Sequence, residues 1–381
     1  MLAELEEPRA GFWPRLIGMR CRWLIAGIVA ACAAAHAQFQ MQNSNTTADL
    51  RGIDNVGGGV AWASGTNGTV LRTEDGGYMW QSCSMPPGAE HLDFRGIRAF
   101  GANTAIVMSS GKGDLSRLYK TTDGCSSWTL VFTNPDKDGF WDAFFAGREG
   151  DEEPELLVLG DPIDGRFATF QSIEDGKQLK KFDAGGLEAA PGETLFAASN
   201  SSMAINLDRL TGIFGTGGAN GSRIFVMCSS CEGDDGWRSV RLKHFATGAS
   251  AGVFSVANLD RVWVAVGGDY LKPSEGTANS AFSVDDGATW NLSSGFPHGY
   301  RSAVAYDADA KTWITVGPNG TDISTDDGKN WRALHPDPAM HDAPDADKNW
   351  NALSLPFVVG PHGRIGKLDS TALAPPPRPD H

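Results

Sequence analysis

Carboxylates, guanidiniums and phenols recur in this chain at turns punctuated by glycine and proline, which present side chains instead of burying them. The fullest cases are Gly160-Asp161-Pro162-Ile163-Asp164-Gly165-Arg166, Gly217-Gly218-Ala219-Asn220-Gly221-Ser222-Arg223 and Gly267-Gly268-Asp269-Tyr270-Leu271-Lys272. Ser110-Gly111-Lys112-Gly113-Asp114 is a fourth, and Arg51, Arg95, Asn200, Tyr300 and Arg301 stand at the starts of apolar runs. Guanidiniums donate in a fixed fork, carboxylates accept, and tyrosine joins an apolar ring to a polar tip. Gathered around one opening they make a ligand site; scattered, each is a turn residue or a rim ion pair. More specific chemistries are missing. There is no Gly-x-Ser-x-Gly elbow and no metal-binding His cluster, and the glycine-rich stretch 215–221 lacks the Gly-Lys-Ser/Thr ending and following helix of a phosphate loop. No cofactor and no metal are expected.

A repeat is what could gather these residues. Thr73-Glu74-Asp75-Gly76-Gly77-Tyr78-Met79-Trp80, Thr122-Asp123-Gly124-Cys125-Ser126-Ser127-Trp128, Ser283-Val284-Asp285-Asp286-Gly287-Ala288-Thr289-Trp290 and Ser324-Thr325-Asp326-Asp327-Gly328-Lys329-Asn330-Trp331 each run from Ser/Thr through Asp-Gly to Trp. Aligned on the Asp-Gly dipeptide, the boxes use Asp75, Gly76 and Trp80; Asp123, Gly124 and Trp128; Asp286, Gly287 and Trp290; and Asp327, Gly328 and Trp331. Weaker copies lie at 172–177 and 234–237. The spacing of about 40 to 58 residues is that of propeller blades. The carboxylate can accept backbone N–H bonds across a tight turn, glycine supplies positive φ, and the tryptophan packs between sheets. The boxes are therefore folding devices, and their tryptophans should be buried.

Each box closes a four-stranded unit, as in 50–53, 60–64, 69–72 and 80–83. Further blades are expected near 93–135, 139–184, 193–242, 251–296 and 299–336. A seventh, from Trp350 to Leu368, has three strands and no box; Phe39–Ser44 alternates as its missing strand and would close the ring. The fold class is all-β, a single seven-bladed propeller over 38–371 followed by a proline-rich tail, 372–381. In this arrangement the loops between second and third strands and the inner-strand starts surround the channel mouth, opposite the box turns.

With 41% hydrophobic residues over 381 positions the chain can bury a large core, and 47 glycines and 20 prolines disfavour helices. A net charge of −14 repels phosphate backbones, so nucleic acid is not an expected partner. Arg15, Arg20 and Arg22 precede an apolar run from Trp23 to Ala35 and an Ala-His-Ala site, which reads as a signal peptide, 1–37, cleaved before Gln38. Lipidation at Cys32 is the alternative, and Met19 competes with Met1 as the start. The run is too short to span a bilayer, so the mature chain is expected to be periplasmic or secreted, without an integral span and monomeric. In that oxidising setting Cys228 and Cys231 are predicted to form a disulfide across a turn. Cys83 and Cys125 could bridge neighbouring repeats or stay free.

The boxes resemble the Asp-box, or BNR, repeats of sialidases. The run from Trp62 to Gly77 resembles the photosystem II stability/assembly-factor-like propellers, and the likeness extends over most of 38–370. That resemblance implies an exported binding or assembly propeller acting on a protein or saccharide ligand through its mouth; the loop and strand-start positions there make Arg51, Arg95, Asp161, Arg166, Asn200, Arg223, Asp269, Tyr270, Tyr300 and Arg301 candidate contacts. The sialidase likeness implies the alternative, a glycoside hydrolase, whose catalytic groups would come from Asp161, Asp269, Tyr270 and Tyr300. The Phe/Tyr-Arg-Ile-Pro signature of sialidases is replaced here by Phe94-Arg95-Gly96-Ile97, and the dispersed arginines do not carry a photosystem role across.

Overall fold

The computed structural model describes residues 38–147, 154–174, 176–182, 185–228 and 236–373. It is all-β, with seven four-stranded blades in a ring and, among the described residues, only three short 3₁₀ turns. Each blade is an antiparallel meander. Blade 1 runs Leu50–Gly57, Val60–Gly65, Val70–Thr73 and Gln81–Ser82, and blades 2 to 6 begin at Phe94, Trp141, Met203, Gly248 and Ala303. Blade 7 takes Ala352–Ser354, Phe357–Val359 and Ile365–Leu368 from one end of the chain and Phe39–Gln42 from the other, with Phe39 opposite Leu368 and Gln42 opposite Ile365. Closing the ring this way pairs two edges that would otherwise stay open. The predicted leader and most of the tail fall outside the described residues. So does the Cys228–Cys231 bond.

The core lies between blades. Trp62, Trp141, Trp263, Trp313 and Trp350 are fully buried there. In the blade 1–2 layer, for example, Trp62 and Val70 pack with Phe94, Ile97, Val107 and Trp128. Burying such side chains is worth roughly 1.5–3 kcal/mol each. Of the box tryptophans, Trp80, Trp128 and Trp331 are buried as expected; Trp290 is half-buried.

The box turns correct one reading of the sequence. The working carboxylate stands two residues after the hydroxyl, because from there Oδ1 reaches both that hydroxyl and the N–H four residues on from it. Asp75 accepts from Thr73 Oγ1 at 2.8 Å and Met79 N at 2.9 Å, and Asp123 accepts from Thr121 Oγ1 at 2.9 Å and Ser127 N at 3.0 Å. In blades 5 and 6 the same bonds go to Asp285 and Asp326, not to Asp286 and Asp327. Alignment on the Asp-Gly dipeptide slides those two boxes by one. Asp286 and Asp327 have φ of 58° and 61°, the left-handed position that Gly76 and Gly124 hold in the first two boxes. Asp286 instead pairs with Arg209 and Arg261 on the surface. The second box begins at Thr121 rather than Thr122.

Cys83 and Cys125 are joined, which decides between the alternatives the sequence left open.

Candidate functional site

The inner strands place the site. In blades 1, 2, 3 and 5 the first strand skips one position in its register, at Arg51, Arg95, Asp142 and Phe254. A bulge leaves one residue unpaired and re-aims its side chain. All four line one cavity of about 580 Å³ at the mouth of the channel. Ser302 and Asn351, just ahead of the inner strands of blades 6 and 7, line it too.

A crossing segment, 194–198, roofs one side. It is held because Glu193–Thr194 pairs with Gly217–Gly218, which pairs in turn with the long inner strand of blade 5. Glycine is required at that crossing: a Cβ on Gly217 would come within 2.5 Å of Gly252 Cα and 2.7 Å of the Phe196 ring. The close approach seats Phe196 on the cavity. There it stacks on Phe254 with ring centroids 4.1 Å apart, while Tyr300 meets Phe254 edge-on at 4.7 Å and Tyr270 at 6.1 Å.

Ionic groups line the same cavity. Asp93 pairs with Arg51 Nε at 3.1 Å and Arg95 Nε at 2.9 Å, and Arg95 Nη1 donates to the Ala197 carbonyl at 2.9 Å. Arg95 is thus hydrogen-bonded, and Arg51 is paired by charge alone. Asp161 accepts from Thr194 Oγ1 and from Leu195 N at 3.1 Å. Burial nonetheless pushes its carboxyl above the ordinary value, outweighing those two bonds. Asp142 is 2% exposed, and its Oδ2 has no hydrogen-bond partner. Burial first, and then the neighbouring Asp161 charge, raise it well above the ordinary carboxylate range against the pull of Arg95.

That environment sets a stability prediction. A carboxyl whose folded pKa lies above its unfolded value favours the native state at low pH and loses that advantage as pH rises through the folded value. Asp142→Asn removes the titration, so at pH 8 the variant should be more stable than the wild type by about 1–3 kcal/mol, and the gap should close near pH 3. Urea midpoints at the two pH values measure this. An asparagine variant weaker than wild type at pH 8 overturns it.

Of the residues singled out in the sequence, Arg51, Arg95, Asp161, Tyr270 and Tyr300 come together at this cavity. Five others do different work. Asn200 is buried and clamps Phe144, accepting from its N–H at 2.8 Å and donating to its carbonyl at 3.1 Å. Arg223 is taken by buried Glu193 and lies over the Phe225 ring. Arg166 pairs with Glu188 on the surface. Asp269 accepts from Ser250 Oγ at 2.6 Å and Leu271 N at 3.0 Å. Arg301 is wholly buried against Asp322 and is not a rim group. Tyr300 is itself mostly buried, which pushes its phenol above the ordinary value and disfavours the phenolate a nucleophile needs.

Asp142, Phe196, Phe254, Ser302 and Asn351 escaped the sequence reading. Four of them carried a signal. Leu50-Arg51-Gly52-Ile53 and Phe94-Arg95-Gly96-Ile97 align with Trp141-Asp142-Ala143-Phe144, Val253-Phe254-Ser255-Val256, Arg301-Ser302-Ala303-Val304 and Trp350-Asn351-Ala352-Leu353. In each, the residue before the small one faces the cavity.

The fold and site define the class: a seven-bladed β-propeller with a mouth lined by aromatic rings and ionic groups. No family model and no curated protein sequence matches the chain. Solved structures do resemble it. YCF48 from Cyanidioschyzon merolae is 16% identical with a TM-score of 0.59, over 88% of this chain and 100% of that one. YCF48 bound to a D1 peptide is 15% identical with a TM-score of 0.59, over 87% and 94%. The extracellular domain of a B. thetaiotaomicron one-component system is 12% identical with a TM-score of 0.58, over 87% of this chain and 40% of that one. At these identities the likeness is one of fold. Among the described residues no helix is long and apolar enough to cross a membrane.

Proposed function

We propose that the chain is an exported, non-catalytic binding propeller that takes an extended polypeptide segment at its channel mouth. The observation that carries this is the cavity itself: residues of six blades converge there, four aromatic rings form one wall, and the arginines and Tyr300 are committed to packing or ion pairs instead of being poised for reaction. Aromatic surface with a few oriented polar groups is what binding clefts offer. YCF48, which shares the fold, has been solved with a D1 peptide bound, and that supports a polypeptide as ligand class. Export rests on the basic-then-apolar start of the sequence, and the Cys83–Cys125 bond suits an oxidising compartment.

One observation favours the glycoside hydrolase reading: Asp142 and Asp161 share the cavity, and two carboxyls with displaced pKa values are what such chemistry uses. A single comparison separates the two. An array of peptides of about twelve residues, probed with the purified protein, should give binding that Tyr270→Ala weakens about tenfold or more; Tyr270 is half exposed, so its loss should leave the melting temperature nearly unchanged. A panel of aryl glycosides should show no turnover. Release of the aryl group, abolished by Asp142→Asn, makes the protein a hydrolase, and absence of any peptide binding overturns the proposal.

A further inference from the structure

The mouth contains an unpartnered carboxyl oxygen. Asp93 pairs with both Arg51 and Arg95, and Arg95 also donates to the Ala197 carbonyl, whereas among the described residues neither Asp142 nor Asp161 has an ion-pair partner within 4 Å. Asp142 lines the cavity as a buried side chain with one oxygen unpartnered, and Asp161 stands beside it. Buried polar atoms are almost always satisfied, so an orphan in a ligand cavity points to a partner that arrives with the ligand. Resting on the reading above, we propose that the mouth selects a lysine side chain of the bound polypeptide, its ammonium meeting Asp142 and Asp161 and its methylene stem lying along Phe196 and Phe254.

The aromatic and acidic parts of the lining match the two halves of that side chain. Lysine joins an apolar stem to a compact head with three donors, and it buries the stem while pairing the head. An ammonium near an aromatic face gains further attraction from the ring. A divalent metal is served less well, because calcium takes six to eight oxygen ligands, and among the described residues no third His, Cys, Asp or Glu completes a metal-binding group. The whole chain carries 46 acidic against 32 basic residues, which also favours approach of a basic segment.

Three blocked pentapeptides test this by calorimetry with the full mature protein: alanine hosts carrying lysine, norleucine or glutamate at the centre. The lysine peptide should bind at least about tenfold more tightly than its norleucine counterpart, and glutamate more weakly still. Asp142→Asn, checked for folding by thermal melting, should bring the lysine-to-norleucine ratio to about one. Equal binding of lysine and norleucine peptides, a preference for glutamate, or an unchanged ratio in Asp142→Asn overturns the lysine site while leaving polypeptide binding intact. Binding of none of the three overturns both. The wild-type ratio alone decides the matter should the variant not fold.

Discussion

Arg301→Ala should lose about 3–5 kcal/mol of folding stability at neutral pH, the cost of stranding a buried charge. The arginine is 0% exposed, and every arm is used. Nε donates to Asp322 Oδ2 at 2.8 Å, Nη2 donates to the same oxygen, and Nη1 donates to the Tyr300 carbonyl at 2.7 Å and Asn319 Oδ1 at 2.6 Å. Asp322, 1% exposed, accepts on its other oxygen from His298 Nδ1 at 2.8 Å. Burial pushes the Asp322 carboxyl up, but the His298 hydrogen bond and the Arg301 charge outweigh it and hold it below its ordinary value. A depressed carboxyl contributes stability above its unfolded pKa and loses it as pH falls through the folded one. The gap between wild type and Arg301→Ala should therefore shrink in acid, below the ordinary value of 3.8. Replacing both partners, Arg301→Met with Asp322→Leu, should recover most of the loss, since neither charge is then stranded. Urea unfolding followed by tryptophan fluorescence reads all three. A loss under about 1 kcal/mol for Arg301→Ala would return this residue to the rim that the sequence suggested.

That misplacement explains how much of the molecule could be read from its residues. Blade count and ring closure were legible because they rest on local chemistry repeated in register: a hydroxyl, a carboxylate two residues on, a glycine and a tryptophan. The alternation of Phe39–Gln42 likewise marked a strand in need of a partner. Where two acidic residues stand in sequence, at Asp285-Asp286 and Asp326-Asp327, composition alone does not say which reaches back to the hydroxyl; the turn geometry does.

The site was legible in part for a related reason. Arg51 and Arg95 could be placed because their tetrapeptides are alike, whereas Asp142 and Phe254 occupy the same position with different chemistry. Asn200 and Arg301 stand at strand starts as well, yet a left-handed φ of 60° at Asn200 and the Asp322 carboxylate behind Arg301 turn both side chains into the protein. Direction depends on a partner far away in sequence, and spacing does not encode it. Phe196 is the clearest case, since it reaches the mouth only through a crossing that two glycines from different blades make possible.

Removing the Cys83–Cys125 bond should cost about 4 kcal/mol, the chain-entropy estimate for a loop of this length. The two residues are 42 apart and join the outer edge of blade 1 to the box turn of blade 2. Between these blades the backbone is otherwise linked locally by Ser84 N donating to the Cys125 carbonyl at 3.2 Å. Cys125 stands where the other three boxes have glycine, Gly77, Gly287 and Gly328, and its φ is 64°. A side chain there is strained by about 1 kcal/mol relative to glycine, and the bond is what outweighs that strain. The two effects can be separated by comparing Cys83→Ser with Cys125→Ser against Cys83→Ser with Cys125→Gly. Both double variants lose the cross-link, but the glycine variant relaxes the turn and should regain about 1 kcal/mol. Urea midpoints without reductant should rank wild type first, the glycine variant second and the serine variant last; adding reductant should lower the wild type by more than either variant. Equal stability of the two variants would remove the strain argument. An indifferent wild type under reductant would mean that the bond holds nothing the blade packing does not already hold.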